Sequence, residues 1–316
     1  MKGLLKTKPA WNQFIVLVSL ALVSFFVLGF IGTLLVTTVT GMGLKELNDL
    51  VKMDFSQPGA IAFLRGMQVV QFISLFIVPV FLCAWLFSTD TKKYLGLKKP
   101  SHMGYFIAGI AVMLLAIPLT NLLGELNRSM RLAPGVENWM KKTEDEAART
   151  IRTLLSKHSI KDLIINVLCI AGLAAVGEEL LFRGMAQRLF IKMFKSPWAG
   201  IIIAAVLFSA IHMQFYGFLP RFVLGVLLGA IYWYSGSIWV AMLAHFAYDS
   251  LLIVFVYFNP GMLNDESSAR LSNIGLAGAL GALLVVFLLI WMKKRSTTTY
   301  QNIYAEDAIP VKSHPF

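Results

Sequence analysis

The short stretch Gly177–Gly184, with the sequence GEELLFRG, places two carboxylates and a guanidinium next to a long apolar run. Glu179 and Arg183 are four residues apart, so on a helix they can form a direct ion pair. Glu178 is turned about 100° away from Glu179 on the same helix, and its carboxylate is free to face a different partner. A charge in the middle of a bilayer costs roughly 2.5–3.5 kcal/mol on insertion scales, so such residues usually face the interior of a helix bundle and have a function.

Two histidines further along the chain each have a second motif residue one helical turn away. Phe208 precedes His212 by four residues, and His245 precedes Asp249 by the same spacing. Counted from the Ser-Pro turn that joins their helices, Glu178 and His212 lie within ~6 Å of each other in depth at 1.5 Å per residue. A carboxylate and two histidines around one cavity can carry out general acid–base chemistry or handle ions. The same three residues also make a plausible zinc site with one open position.

The elements that must position these residues are membrane-spanning helices. The chain is 57% hydrophobic and 14% charged, compared with about 25% charged residues in soluble domains. Long stretches without charge recur, and a span needs roughly 20 apolar residues. The sequence therefore predicts an all-α, polytopic membrane protein with about eight transmembrane helices and an intramembrane polar cavity. The predicted spans are residues 11–38, 66–87, 103–123, 163–190, 198–216, 219–235, 238–258 and 272–292.

The net charge of +11 is explained by topology. Lysines and arginines cluster before the first span, between the second and the third, and after the last. The positive-inside rule assigns such ends to the cytoplasm. We therefore expect a multi-pass protein of the cell (inner) membrane, with cytoplasmic N- and C-termini, a lipid bilayer around it and no nucleic-acid partner.

Three motifs together resemble those of the intramembrane CPBP proteases, a family that includes the CaaX prenyl endopeptidases and Abi-like, bacteriocin-processing proteins. The first motif, EExxxR, is Glu178–Arg183; the second, FxxxH, is Phe208–His212; the third, HxxxN/D, is His245–Asp249. Each motif is weak by itself. Their occurrence in this order, on separate predicted spans within roughly residues 163–256, is specific.

The resemblance implies an endopeptidase that hydrolyses a peptide bond of a peptide or membrane-protein substrate near the cytoplasmic face. In the family, the residues at Glu178 and His212 position and activate a water molecule for attack. The residues at His245 and Asp249 are thought to stabilise the developing oxyanion. The supporting residues are Glu179, Arg183 and Phe208.

The resemblance also suggests a division of the chain into four parts. Residues 1–162 would hold the N-terminal transmembrane helices and an amphipathic connector, and residues 163–258 the catalytic core. Residues 259–295 would form the last transmembrane helix, and residues 296–316 a cytoplasmic tail. Within the connector, a capping box at Thr143–Glu146 predicts the start of a short helix. This helix would lie on the outer membrane surface or form a solvated connection.

Three alternatives to a metal-free protease stay open at the level of sequence. The first is a zinc-dependent version of the same protease with Glu178, His212 and His245 as ligands, although the soluble metalloprotease pattern HExxH is absent and no cofactor is favoured. The second is a non-proteolytic bacteriocin-immunity or scaffold protein, which should have lost a motif residue. The third is a transporter, which would usually contain an internal repeat.

Overall fold

The computed structural model describes residues 2–130, 134–263 and 271–299, and every regular element in these ranges is helical. Seven helices within them are long and apolar enough to cross a membrane. The predicted class, an all-α polytopic membrane protein, is therefore confirmed. The helices are α1 (Ala10–Thr40), α2 (Ala60–Phe87), α3 (Gly104–Ser129), α4 (Pro134–Leu155), α5 (Ile160–Phe194), α6 (Pro197–Ala210), α7 (Phe218–Ser235), α8 (Ile238–Phe258) and α9 (Leu271–Arg295), with short helices at Leu44–Val51 and Thr91–Tyr94.

The structure differs from the eight predicted spans in the segment 198–216. This segment forms α6, whose 14 residues extend about 21 Å at 1.5 Å per residue, short of the ~30 Å hydrocarbon core. Ser196 caps the start of α6 by accepting a hydrogen bond from the backbone N–H of Ala199. The helix ends before Ile211, and the chain turns at Met213, which has a φ of 54°. Helices α6 and α7 thus form a hairpin whose tip comprises residues 211–217.

The hairpin tip contains a short 3-10 helix, Phe215–Gly217, and is held in place by side chains. Asn127 of α3 is buried, and its Nδ2 donates to the carbonyl of Phe215 at 2.8 Å. Its Oδ1 accepts from the backbone N–H of Leu219, also at 2.8 Å. Ser209 Oγ donates to the carbonyl of Phe218 at 2.7 Å. These contacts satisfy polar backbone groups where the chain turns.

Helix α5 carries the EExxxR motif near its middle. It begins after Ser159, whose Oγ accepts from the backbone N–H of Asp162, and it ends at Lys195, where φ is 51°. Two segments of α5 are π-helical, Val167–Gly172 and Leu180–Gln187. Such segments are rare and occur frequently at functional sites. The second one begins immediately after the two adjacent glutamates.

Helices α5 and α7 lie side by side and run in the same direction. Arg183 Nη2 donates to the carbonyl of Gly225, and Gln187 Nε2 donates to the carbonyl of Gly229, each at 3.1 Å. In each bond the donor and acceptor residues are 42 positions apart in the sequence. The two bonds therefore agree on one axial register between the helices. The two glycines also allow close approach, because a Cβ built on Gly225 would lie only 3.0 Å from the Cβ of Ala205 on α6.

The connector helix α4 is longer than the sequence predicts. It begins at Pro134, nine residues before Thr143, so the predicted capping box is wrong. Thr143 lies inside the helix, where its Oγ1 donates to the carbonyl of Met140 at 3.0 Å. The end of α4 docks on α5, since Asn166 Nδ2 donates to the carbonyl of Leu154 at 3.0 Å. The position of α4 on the membrane surface and the four-part division of the chain stay predictions, and residues 300–316 of the predicted tail lie outside the described ranges.

Replacement of Gly225 by alanine should destabilise the protein. The new methyl group would press on the Cα and Cβ of Ala205, at 3.1 and 3.0 Å, and on the ring of Phe208 at 3.3 Å. Overpacking of this kind costs typically 1–3 kcal/mol, so we expect a lower thermal transition in detergent, measured by loss of the monodisperse peak on size exclusion after heating. Gly29→Ala is the matched control, because no atom of the described ranges lies within 4 Å of a Cβ at Gly29. Equal transitions for both variants would contradict the packing argument.

Candidate active site

The two adjacent glutamates of α5 have different surroundings, as their 100° separation on the helix predicts. The side chain of Glu179 is completely buried, with 0% exposure, and its Oε1 lies 2.9 Å from Arg183 Nη1. The side chain of Glu178 is 15% exposed and lines a cavity. The predicted ion pair between Glu179 and Arg183 is therefore present in the structure, and the carboxylate of Glu178 faces the cavity.

Arg183 is buried among three helices. Its Nη2 donates to the carbonyl of Gly225 on α7, and its guanidinium lies 4.8 Å from the ring centroid of Phe208 on α6. A guanidinium over an aromatic face is attracted by the ring quadrupole, more strongly when both groups are desolvated. Phe208 also lies edge-on to His212 and His245, with centroid distances of 5.1 and 6.2 Å. This ring is thus a common contact of the arginine and both histidines.

His245 on α8 has a carboxylate at each ring nitrogen. Its Nδ1 lies 3.0 Å from Glu179 Oε1, and its Nε2 lies 3.2 Å from Asp249 Oδ2. An ionised carboxylate only accepts hydrogen bonds, so both nitrogens donate when both acids are ionised. Because Glu179 Oε1 also lies 2.9 Å from Arg183 Nη1, this oxygen is shared between Arg183 and His245. The contact between Glu179 and His245 is one that the sequence does not predict.

His212 lies in the hairpin tip, directly after α6. Its Nδ1 donates to the carbonyl of Phe208 at 2.7 Å, which leaves Nε2 facing Glu178 Oε1 at 3.9 Å. His245 Nε2 lies 4.0 Å from the other oxygen, Glu178 Oε2. Both separations exceed a direct hydrogen bond. The Glu178 carboxylate thus lies between two imidazole nitrogens without binding either one directly.

A cavity of about 1120 Å³ connects these residues. Its polar wall includes all four predicted catalytic residues, and Asp249 keeps 28% of its side chain exposed there. Much of the remaining wall is apolar and comes from α1 and α2, for example Leu22 and Phe72. The structure therefore brings the predicted catalytic residues together, while their individual roles stay predictions. The four residues are Glu178, His212, His245 and Asp249.

One charged residue of this cavity is absent from the predicted site. Arg221, in the first turn of α7, lies on the same wall as Glu178 and His212. In the sequence it is a single cation between two long charge-free stretches. Its isolation inside apolar sequence is the signal that could have identified it, since intramembrane charges usually face an interior or a cavity.

The zinc alternative can be compared with the positions of its three candidate ligands. Both histidines use Nδ1 for a hydrogen bond and turn Nε2 toward Glu178, which is how metal-binding histidines are usually oriented. Within the described ranges, however, no three His, Cys, Asp or Glu side chains are arranged so that they could hold a metal ion. The metal dependence of the site stays a prediction.

Two curated proteins are similar to about a third of the chain. The chain is 31% identical over 106 residues to an uncharacterized 24.3 kDa protein of Escherichia coli. The aligned region covers 32% of this chain and 49% of that protein. It is 30% identical over 111 residues to the uncharacterized protein YpbD of Bacillus subtilis. This aligned region covers 34% of the chain and 52% of that protein. The chain thus spans about half the length of these curated relatives. No solved structure matches.

A family model matches the part of the chain that contains the candidate site. The matched residues, 160–251, include all three motifs. They also include Arg221, which the motifs do not contain. The resemblance predicted from the motifs is thereby confirmed for this segment: residues 160–251 match the family of type II CAAX prenyl endopeptidases, Rce1-like.

Proposed function

We propose that this multi-pass membrane protein is an intramembrane endopeptidase in which Glu178 activates a water molecule for hydrolysis of a peptide bond. The observation that carries the proposal is the position of the Glu178 carboxylate, 3.9 and 4.0 Å from the Nε2 atoms of His212 and His245 on the wall of a largely apolar cavity. Contacts at such distances are often bridged by water. A water molecule between Glu178 and His212 would be held by both groups.

In the proposed reaction, Glu178 takes a proton from this water as the oxygen attacks the carbonyl carbon of the substrate. As charge develops, the His245 Nε2–H, which contacts Asp249 in the resting site, donates in a three-centre hydrogen bond to both Asp249 and the oxyanion of the tetrahedral intermediate. Stabilisation of the oxyanion is the largest single contribution in many acyl-transfer enzymes. Collapse of the intermediate breaks the C–N bond, and Glu178 returns the proton to the leaving amine. The carbonyl carbon keeps the water oxygen, so the products are a carboxylic acid and an amine.

The role of Asp249 in this scheme is to orient His245. An ionised carboxylate has no proton to donate to an oxyanion. Asp249 Oδ2 instead lies 3.2 Å from His245 Nε2, opposite the nitrogen that contacts Glu179. The imidazole is thus held from both sides, which fixes the direction in which its N–H groups point.

The substrate in this proposal is a peptide or membrane protein within the lipid bilayer. Both termini of the enzyme are cytoplasmic in the same proposal, because the clusters of lysine and arginine favour that side. Reporter fusions at both ends, read out on either side of the cell membrane, would test this topology. Comparing the membrane peptidomes of cells with wild-type protein and with Glu178→Gln would identify the substrate.

The zinc-dependent protease is the second candidate, because both Nε2 atoms face the same carboxylate. Cleavage that a strong chelator abolishes and added zinc restores would favour it over the metal-free reaction. A non-proteolytic immunity or scaffold protein would be favoured instead if wild-type and Glu178→Gln cells gave identical membrane peptidomes.

Glu178→Gln should abolish cleavage, with a loss of at least about a hundredfold, and should leave the folded yield unchanged. Glutamine keeps the shape of the side chain but cannot accept the proton. Glu179→Gln should lower the folded yield as well, because Arg183 and His245 would then share no carboxylate, and breaking a buried pair costs about 3–5 kcal/mol. Activity is measured on a reconstituted substrate, and folded yield by size exclusion in detergent. Equal yields with equal loss of activity would refute this assignment of roles.

Asp249→Asn should keep most of the activity, within about a tenfold loss, whereas Asp249→Ala should lose at least about a hundredfold. The amide oxygen of asparagine can still accept from His245 Nε2, and alanine removes the acceptor altogether. The comparison is made with purified, monodisperse protein in liposomes. A hundredfold loss in well-folded Asp249→Asn protein would show that the negative charge, rather than the hydrogen bond, is required.

A further inference from the structure

The apolar wall of the cavity contains two polar side chains, Gln68 and Gln71 of α2. Both line the cavity together with Phe72, which follows on the same face of the helix. The neighbouring Met67 faces α1 instead, since Thr33 Oγ1 donates to its Sδ at 3.7 Å. Among the described residues that α1 and α2 contribute to the lining, all others are apolar. The two glutamines thus form a polar spot on a wall that is otherwise hydrocarbon.

The side-chain oxygen of Gln68 is buried without a hydrogen-bond partner. Its Oε1 is almost completely inaccessible to solvent, and no donor among the residues that the structure describes reaches it. Buried polar side-chain atoms nearly always have a partner, so an exception requires an explanation. A glutamine carboxamide has one acceptor oxygen and an NH2 group with two donors. Gln68 and Gln71 can therefore offer both kinds of hydrogen bond to a molecule in the cavity.

The level of these glutamines relative to Glu178 follows from two contacts between α2 and α5. Near the start of both helices, Arg65 Nη2 donates to Asn166 Oδ1 at 2.8 Å, across 101 positions of the sequence. Further along, a Cβ built on Gly177 would lie 2.7 Å from the ring of Phe76. Since 177 − 76 is also 101, the two helices are parallel and keep one axial register between these contacts.

The same offset places Gln71 at the level of Gly172 and Gln68 at the level of Cys169. These levels are about 9 and 13 Å from Glu178 along α5, at 1.5 Å per residue. An extended peptide advances about 3.3 Å per residue. A chain that runs along α2 from the Glu178 carboxylate would therefore reach Gln71 after about three residues and Gln68 after about four.

Hydrolysis inside this cavity creates a need for such groups. A peptide bond must leave any helix before water can attack it, and the backbone N–H and C=O groups around it then lose their partners. Unpaired backbone groups are strongly disfavoured away from water. The apolar side chains of α1 and α2 cannot supply hydrogen bonds, whereas the carboxamides of Gln68 and Gln71 can.

We propose that Gln68 and Gln71 bind the backbone of an extended segment of the substrate, about three to four residues from the hydrolysed bond. Each carboxamide donates to a backbone carbonyl and accepts from a backbone N–H of this segment. Main-chain hydrogen bonds provide affinity for an extended peptide, and apolar pockets select its side chains. The inference deepens the proposed function and rests on it. Both glutamines are substrate-binding residues that take no part in breaking the bond.

The test measures binding and requires no hydrolysis. The probe is 4-benzoylbenzoyl-Leu-Val-Leu-Val-amide, an uncharged photoreactive peptide. The comparison probe has esters in place of the peptide bonds between its residues, so it lacks those N–H donors. Photolabelling is measured in phosphatidylcholine nanodiscs, with every variant built on Glu178→Gln so that neither probe is cleaved.

On this background the peptide should reach half-maximal labelling at about tenfold lower concentration than the ester, because each net hydrogen bond changes an affinity by up to about that factor. Combining Gln68→Met with Gln71→Met should reduce the preference to about twofold or less. Methionine keeps the length of the glutamine side chain and removes its N–H donors and its oxygen.

Asn121→Leu is the matched control, because it removes an exposed carboxamide from another span, α3, outside the described cavity lining. It should leave the preference for the peptide unchanged. Gln71→Met alone changes the more exposed of the two glutamines and should reduce the preference at least about threefold. This single variant decides the question if the double variant does not fold.

Three results would overturn the proposal: no preference for the peptide on the Glu178→Gln background, a preference that the changes to methionine leave intact, or an equal loss with Asn121→Leu. Weaker labelling by both probes in equal proportion is a case of the second result, and it would indicate that the glutamines serve the packing of α2. Failure of the peptidase assignment would appear differently, as intact substrate in the presence of wild-type protein, with the preference for the peptide unaffected.

Discussion

The carboxylate of Glu179 is the interaction on which the arrangement of the site depends. One oxygen, Oε1, lies 2.9 Å from Arg183 on its own helix and 3.0 Å from His245 on α8. Arg183 in turn contacts the backbone of Gly225 on α7 and the ring of Phe208 on α6. A single buried negative charge therefore connects four helices. Buried ion pairs contribute little net stability relative to apolar packing, so their effect here is to fix the relative positions of these helices.

This arrangement explains why two adjacent glutamates can have different roles. Glu179 provides the negative charge that the buried Arg183 and His245 need. Glu178, one residue earlier, has no direct partner within hydrogen-bond distance among the residues that the structure describes, and its oxygens are directed at the two imidazoles and the cavity. A proton acceptor next to a fixed ion pair needs no rearrangement before it reacts, which is the condition for electrostatic preorganisation.

Much of the fold and of the candidate site follows from the sequence, because membrane spans and i,i+4 pairs are local patterns. Glu179–Arg183 and His245–Asp249 were predictable from spacing alone. The contact between Glu179 and His245 joins residues 66 positions apart, and no local pattern encodes such a distance. The length of α6 was overestimated since its apolar character continues into the turn, where Met213 adopts a positive φ. The glycines of α7 indicated close packing, but not that their carbonyls accept hydrogen bonds from α5.

The hairpin tip also determines how freely His212 can move. Displacing the tip would break the bonds that Asn127 makes with Phe215 and Leu219 and leave the buried amide of Asn127 unsatisfied. Loops that carry functional residues in soluble proteins are usually mobile because solvent compensates for each broken bond. Here the two bonds from the buried Asn127 tie the segment after His212 to helix α3. The position of this histidine in the cavity therefore depends on a helix that carries none of the three motifs.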